Sequence, residues 1–209
     1  MSRVAGIVLA AGAGRRMGQP KALLTLPDGR SFVEAACEVL LDAGCDPVLA
    51  VLGAEAESAR ERLGDRWPDR STAGPVVAVV NPDWAEGLAT SLRVGLSHLR
   101  DTSAASAAVI HLVDLPGVGP DAIERITAHG VSGGTDLSAA LARASYNGAP
   151  GHPVLLGREH WDGVIASTSG DAGARRYLRE HAPTIVEMSD LASGRDLDTR
   201  EDLARFEAE

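Results

Sequence analysis

The sequence predicts an α/β fold, a Rossmann-like three-layer sandwich in which helices cover both faces of a mostly parallel sheet with a small antiparallel insertion. Short apolar runs alternate with helical segments along most of the chain, the order expected of parallel strands joined by crossover helices. Asn147-Gly148 lies between two apolar runs and predicts a hairpin. With 209 residues and 44% hydrophobic content, we expect a single domain over 1–209 with a sizeable core.

The elements follow from local patterns. The run 4–9 is short and β-branched enough to be a buried parallel strand. Ser31 suits an N-cap and Gly44 a helix stop, which predicts a helix over 31–43. The apolar strand 107–113 ends in Asp114, and Pro120 starts a helix over 120–129. The other predicted elements are strands at 48–52, 76–80 and 184–188 and helices at 55–63, 89–100, 172–181 and 200–208.

The C-terminal half changes pattern. Segments 137–146 and 152–156 are predicted to be the two strands of the hairpin, and we expect 149–151 to lengthen the connection between them. The segment 66–74 is rich in Pro, Asp, Arg, Ser and Gly and is the best candidate for a long surface loop. An antiparallel insertion near the end of a parallel sheet is consistent with both observations.

Composition excludes several function classes. The net charge of −9 argues against an extended nucleic-acid surface, and aromatic residues, at 3%, are too scarce for single-strand stacking platforms. No 18-residue apolar stretch exists, so we expect neither a membrane span nor a secretory signal, and a cytoplasmic location. Cys37 and Cys45 lack metal-ligand spacing and are expected to be free thiols.

A Gly-rich segment follows the first strand and is closed by Lys21. Glycines let backbone N–H groups approach an anion, and Arg15, Arg16 and Lys21 add charge, so this segment predicts a phosphate loop for a nucleoside triphosphate. We assign Arg16 and Lys21, with Asp114, as catalytic. The nucleotide-binding candidates in the loop are Leu9, Ala10, Ala11, Gly12, Ala13, Gly14, Arg15 and Gly18.

This loop differs from two better-known phosphate motifs. Gly18 is followed by Gln19 and Pro20 before Lys21, so the P-loop order Gly-Lys-Ser/Thr is absent. The third glycine comes one residue late for a dinucleotide fingerprint, and no acid ends a second strand about 20 residues on. An ordinary glycine turn with two solvated arginines is the alternative interpretation.

Two acidic positions are candidate magnesium ligands. Asp114 ends a buried strand, where open α/β sheets bind ligands, and Mg²⁺ prefers one or two carboxylates completed by phosphates and water. Asp198 is the second candidate, because alternation places it on the same side of an extended segment as Asp196. The alternatives are that Asp114 caps a turn before Pro116 and that Asp198 only starts a helix.

Further candidates, for substrate binding, lie in three other segments. Trp84 could stack on a ring, and Gly87 and Ser91 lie near a predicted helix N-terminus, which favours anions. His152 and Arg175 could reach a second substrate. A half-buried Trp and hydrogen-bonded structural side chains are the alternatives at these positions.

Together these segments resemble the MobA-like NTP transferase family, the nucleoside triphosphate transferases of molybdenum cofactor biosynthesis, and within it the molybdenum cofactor cytidylyltransferase branch. The family's Leu-Ala-Ala-Gly-x-x-x-Arg-Met-Gly…Lys loop matches 9–21, its Asn-x-x-Trp-x-x-Gly…Ser segment matches 81–91, and its Asp-x-Pro matches 114–116. Gly-His-Pro at 151–153, Gly-Asp-x-Gly-Ala-Arg at 170–175 and Asp-Thr-x-Glu-Asp at 198–202 are also similar. Leu115 replaces a frequent polar residue, and Arg200 a frequent Pro.

The resemblance implies a fold of the nucleotide-diphospho-sugar transferase type, with nucleotide on the N-terminal half and pterin near the C-terminal half. It assigns Arg16 and Lys21 to the triphosphate and Asp114 and Asp198 to Mg²⁺. The implied reaction transfers CMP from CTP to the phosphate of molybdenum cofactor and releases pyrophosphate. A transient contact with a molybdoenzyme is a further expectation.

CTP is favoured over GTP because Ala11 stands where the guanylyltransferase branch usually has Gly, and its methyl group would crowd a purine. Leu115 leaves the identity of the second substrate open. Two other functions stay open as well. One is an NAD(P)H-dependent oxidoreductase, since the chain is also similar to nicotine blue oxidoreductases, and the other is a cofactor-binding chaperone without catalysis.

Overall fold

The computed structural model describes residues 3–67, 75–168, 170 and 173–208. Within them a seven-stranded sheet has the order β3-β2-β1-β4-β6-β5-β7. All of these strands run in one direction except β6, which is antiparallel to β4 and β5. The strands are β1 Val4–Ala10, β2 Val48–Leu52, β3 Val76–Val80, β4 Ala107–Leu112, β5 Leu141–Tyr146, β6 Ala149–Gly157 and β7 Thr184–Glu187.

Seven α-helices accompany the sheet in the described residues. They are α1 Phe32–Asp42, α2 Ala56–Arg66, α3 Leu88–Thr102, α4 Pro120–Gly130, α5 Arg158–Ser167, α6 Arg175–His181 and α7 Arg200–Glu207. Capping boxes start α1 at Ser31 and α7 at Thr199, so both predicted N-termini are confirmed. None of the described helices has the length and apolar character needed to cross a bilayer.

Two apolar clusters lie on opposite faces of the sheet. Side chains of β1 alternate between them: Ile7 and Leu9 pack on the side of α3, α5 and α6, whereas Val8 and Ala10 pack on the side of α1, α2 and α4. Because both faces of β1 are buried, its residues are apolar without interruption rather than alternating with polar ones. The predicted three-layer sandwich with an antiparallel insertion is therefore confirmed.

The hairpin is tighter than the sequence analysis expected. Tyr146 already pairs with Ala149, so Asn147-Gly148 forms a two-residue turn, and the expected lengthening of the connection is wrong. Asn147 and Gly148 have φ values of 51° and 78°, the left-handed conformation that such turns require. The strand expected from 137 begins only at Leu141, because Leu137–Ala139 is a short 3₁₀ helix.

The helix α5 is not among the elements predicted from the sequence. Its buried face consists of only Trp161 and Val164, and Gly163 lies in its interior, so the periodic signal is weak. Packing of Trp161, which is 1% exposed and donates from Nε1 to the Leu156 carbonyl, stabilises this helix instead. The predicted loop at 66–74 and the predicted start of the helix at 172 fall largely outside the described residues.

Candidate active site

The Gly-rich loop leaves β1 at the carboxyl edge of the sheet. Gly14 has a φ of 56°, and a Cβ there would lie 2.0 Å from the Gln19 carbonyl oxygen, so only glycine fits this turn. The amides of Met17 and Gly18 both donate to the Gly14 carbonyl, at 2.8 and 3.0 Å. Among the described residues, the amides of residues 12–16 find no acceptor, so they are available to an anion.

Asp114 leaves the neighbouring strand at the same edge. Leu9 of β1 is in register with Leu112 of β4, so the loop and Asp114 begin side by side. The Leu197 amide donates to the Asp114 carbonyl at 3.0 Å and brings the segment before α7 alongside. This contact places Asp198 next to Asp114, 84 residues earlier in the chain.

Lys21 joins the two carboxylates. Its Nζ donates to Asp114 Oδ2 at 2.6 Å and to Asp198 Oδ1 at 2.5 Å, and Arg16 Nη1 lies 3.5 Å from Asp198 Oδ2. Burial alone would lower the pKa of Lys21, but the two ion pairs outweigh burial and raise it. The two carboxylates thus converge on a single position that accommodates a cation.

Asp196 extends this charged cluster. Partial burial of its carboxyl group, together with the nearby negative charges of Asp114 and Asp198, raises the pKa of Asp196. In the described part of the chain, no three His, Cys, Asp or Glu side chains gather as a metal centre. Phosphate and water would therefore complete the coordination of a hard cation between Asp114 and Asp198.

A cleft of about 450 Å³ lies between the loop and the start of α3. Most of the residues predicted to bind nucleotide line it, Arg15 among them, and so do the predicted substrate-binding residues Trp84, Gly87 and Ser91. Arg16 and Gly18 lie outside this lining, and the Ala10 side chain is buried on the other face of the sheet. The cleft is lined by Leu9, Ala11, Gly12, Ala13, Gly14, Arg15, Lys21, Trp84, Ala85, Gly87, Leu88, Ser91, Leu112, Val113 and Asp114.

Asn81 fixes the wall of the cleft that carries Trp84. It is fully buried, its Nδ2 donates to Thr90 Oγ1 at 2.8 Å and to Ser91 Oγ at 3.0 Å, and its Oδ1 accepts from the Asp83 amide. Because Ser91 Oγ accepts this bond, its own hydroxyl hydrogen can be directed into the cleft. The sequence analysis placed Asn81 in a family segment but did not assign it this positioning role.

A second pocket, of about 170 Å³, adjoins the cleft and shares Leu9, Leu88 and Leu112 with it. His152 and Arg175 both line this pocket, as expected of residues near a second substrate. Burial, and then the nearby His111, Arg143 and Arg175, lower the pKa of His152 to about 3, so His152 is neutral at physiological pH. Arg143 of β5 also lines the pocket, and the sequence analysis missed it.

The sequence does contain a feature that marks Arg143 as a candidate functional residue. It is the only charged residue in β5, whose neighbouring positions are buried. Arg200 also went unassigned: its Nη2 would lie 3.7 Å from a Cβ at Gly18, which adds positive charge beside the loop. Asp171, in the predicted Gly-Asp-x-Gly-Ala-Arg segment, lies outside the described residues.

Comparison with known proteins assigns the family. The model of the MobA-like NTP transferase domain matches residues 6–185. The chain belongs to the MobA-like NTP transferase family. It is 35% identical to nicotine blue oxidoreductase of Paenarthrobacter nicotinovorans over 97% of this chain and 96% of that protein. It is 29% identical to molybdenum cofactor guanylyltransferase of Rhodobacter capsulatus over 98% of this chain and 95% of that one.

Solved structures of this fold include Rv0371c of Mycobacterium tuberculosis. That structure is 27% identical, has a TM-score of 0.76 and covers 100% of this chain and 99% of its own. Another structure of the same protein, with a TM-score of 0.70, is a complex with manganese. The nucleotidyltransferase family and the α/β sandwich expected from the sequence are thereby confirmed.

Proposed function

We propose that this protein is a Mg²⁺-dependent nucleotidyltransferase that transfers CMP from CTP to the phosphate of a molybdopterin-type pterin. The observation that carries the proposal is the Lys21 ammonium held by Asp114 and Asp198 at the end of the Gly-rich loop. Two carboxylates around one cation, beside unpaired backbone amides, match the needs of a metal-bound triphosphate. A cytoplasmic location, where nucleoside triphosphates are available, and a transient contact with a molybdoenzyme are parts of the same proposal.

In this proposal, the charge of each site residue determines which part of the metal-bound nucleotide it binds. The amides of residues 12–16, Arg15 and Lys21 bind phosphate oxygens, and Arg16 approaches from the solvent side. Asp114 and Asp198 would hold Mg²⁺, which when bound neutralises phosphate charge and polarises the phosphoryl oxygens. With both carboxylates bound to the ion, the Lys21 ammonium would be free to form an ion pair with the triphosphate.

The transfer itself needs no nucleophile from the chain. An oxygen of the pterin phosphate bonds to the α-phosphorus of CTP, the bond to the α,β-bridging oxygen breaks, and pyrophosphate leaves with that electron pair. The chain contributes position and electrostatic stabilisation. The two adjoining pockets, which share Leu9, Leu88 and Leu112, would hold donor and acceptor side by side.

Nucleotide choice is assigned to the wall at Ala11. Ala11 lines the cleft, and the residue is only 6% exposed. Gly53 lies directly behind it: a Cβ there would come within 2.7 Å of the Ala11 Cβ and 2.5 Å of the Trp84 Cβ. Because Gly53 and Trp84 are packed against Ala11, the Ala11 methyl group cannot move away from a bound base. It therefore favours a pyrimidine over a purine, which supports CTP.

An oxidoreductase of the nicotine blue type is the second candidate. It is favoured by the 35% identity, over 97% of this chain, to the Paenarthrobacter protein of that name. Two carboxylates that share one ammonium have no evident part in hydride transfer from a nicotinamide. The transferase therefore accounts for more of the site.

One paired assay separates these functions. Pyrophosphate release is measured with each of the four nucleoside triphosphates, purified molybdenum cofactor and Mg²⁺, beside NAD(P)H oxidation with and without the metal. We expect pyrophosphate release that requires the metal and is fastest with CTP. Fastest release with GTP would refute the cytidylyl assignment, and metal-independent NAD(P)H oxidation without pyrophosphate would support the reductase. Cofactor binding without any turnover would indicate a chaperone.

A further inference from the structure

The pocket beside the cleft combines an apolar floor with a charged rim. Eight aliphatic side chains form most of the floor, and the polar side chains are confined to four positions: Arg143, His152, Arg175 and Asp196. A ligand of this pocket must therefore pair an apolar body with a charged group. The aliphatic residues are Leu9, Leu88, Leu92, Ile110, Leu112, Val154, Leu156 and Leu178.

Arg143 is the informative member of the rim. It lies in the middle of β5, is only partly exposed, and its Nε donates to the Gly151 carbonyl at 3.3 Å. Within the described ranges it forms no ion pair, and both Nη groups lack a partner. Burial, and then the positive charge of Arg175, lower the pKa of Arg143. An anion bound between the two guanidinium groups would offset both the burial of the Arg143 charge and its repulsion by Arg175.

The other two polar side chains of the rim, His152 and Asp196, differ in charge. His152 is neutral, so it can hydrogen-bond a ligand without adding charge. Asp196 also lines the pocket, and its carboxylate lies close enough to Arg175 for the two charges to attract each other. Arg143, which forms no ion pair in the described residues, is therefore the rim cation that is left for an anionic ligand.

We propose that Arg143 and Arg175 bind the phosphate of the acceptor substrate while the aliphatic floor holds its ring system. This assignment rests on the proposed transferase function and adds Arg143 to it as a residue that determines acceptor specificity. Two guanidinium groups would also reduce the repulsion between the acceptor phosphate and the triphosphate, which must approach each other for transfer. The antiparallel hairpin thus has a function: β5 supplies Arg143, and β6 supplies His152.

The test measures binding without turnover. Calorimetric titrations compare 6-hydroxymethylpterin monophosphate with 6-hydroxymethylpterin, in the absence of nucleotide, for the wild type, Arg143→Gln and Arg143→Lys. Arg179→Gln is the matched control, because Arg179 lies on α6 like Arg175 but does not line the pocket. Thermal unfolding of each variant shows whether it is folded.

We expect the wild type to prefer the phosphorylated pterin by about tenfold or more, and Arg143→Gln to remove most of that preference. Arg143→Lys should retain part of it, since an ammonium supplies the charge but not the planar fork. Arg179→Gln should retain all of it. A folded Arg143→Gln that keeps the full preference, or a wild type without one, would overturn the assignment.

The two proposals fail in different experiments. If no nucleoside triphosphate yields pyrophosphate, the transferase proposal fails, yet a phosphate preference lost in Arg143→Gln would still support the anion site. If CTP turnover is normal in Arg143→Gln at low acceptor concentration, the Arg143 assignment fails and the transferase stands.

Discussion

The Nζ of Lys21 lies 2.6 Å from Asp114 Oδ2 and 2.5 Å from Asp198 Oδ1, although these residues are 93 and 177 positions away along the chain. Lys21 is also the only lysine among the 209 residues, and the other residues in the Lys and Arg count are all arginines. A compact ammonium fits between two carboxylates better than a planar guanidinium does. The pair of carboxylates therefore holds a cation before any ligand arrives.

The single lysine gives a direct measurement of this cluster. Biosynthetic incorporation of ¹³Cε-labelled lysine marks only Lys21, and the pH dependence of its ¹³Cε shift reports the pKa. We expect a Lys21 pKa above 10.5 in the wild type and a lower value in Asp198→Asn, because one ion pair is lost. Asp162→Asn, on the surface of α5, is the control. Identical Lys21 titrations in Asp198→Asn and the wild type would contradict the contact.

Removal of positive charge at the loop should weaken triphosphate binding selectively. Lys21→Ala and Arg16→Ala should each reduce the affinity for CTP more than that for cytidine, because the proposed function assigns these side chains to phosphate rather than to base. Calorimetry with both ligands measures the difference. We expect the larger effect from Lys21, which is mostly buried, than from Arg16, whose side chain is 76% exposed. Equal losses for CTP and cytidine would be inconsistent with phosphate contacts.

Asp114→Asn tests the proposed metal site. The amide keeps the shape of the side chain and removes the charge, so turnover should fall by about 100-fold or more while the fold is retained. Steady-state pyrophosphate release gives the turnover, and thermal unfolding gives the stability. Asp101→Asn, at an exposed position near the end of α3, should have wild-type activity. Near-wild-type turnover in Asp114→Asn would exclude a role in metal binding.

Ala11→Gly tests nucleotide choice. Loss of the methyl group should lower the preference for CTP over GTP, measured as the ratio of kcat/KM values. One methyl contact contributes only about 1–3 kcal/mol, so we expect a change of about 10-fold to 100-fold. Ala85→Gly, at an exposed position in the same cleft, controls for the added backbone freedom. An unchanged ratio in Ala11→Gly would place the discrimination elsewhere.

His111 predicts loss of stability in acid. It is 1% exposed, its Nδ1 has no hydrogen-bond partner among the described residues, and burial lowers its pKa to about 4 from 6.5. Between pH 4 and pH 6.5, His111 is therefore protonated in the unfolded chain but not in the folded chain. The free energy of unfolding is fully present above pH 6.5 and falls as the pH drops toward 4. The loss from His111 alone should be about 2 kcal/mol at about pH 5.

Urea unfolding at about pH 7.5 and about pH 5 checks this prediction. His111→Leu should reduce the loss of stability on acidification by roughly the contribution of one histidine, with His152 still contributing its own share. An identical loss in His111→Leu and the wild type would show that His111 is not titrating.

Local patterns in the sequence predicted most of the sheet and the phosphate loop. β2 and β3 have the expected bounds, and the loop adopts the glycine turn that the spacing of Gly14 and Gly18 indicates. These features depend on residues close together in the chain, where periodicity, caps and turn residues act directly. The helix at Arg158–Ser167 had no such signal, because its stability comes from the packing of Trp161.

The sequence by itself determined the chemistry that is available: a Gly-rich anion loop, a lysine, and aspartates at the ends of extended segments. Only the tertiary structure decided which of these meet. The Leu197 amide bonds the Asp114 carbonyl and so brings Asp198 to Lys21, and the hairpin brings Arg143 to the pocket that Arg175 lines. Such pairings depend on strand order and register, and no local pattern encodes a contact between residues 177 positions apart.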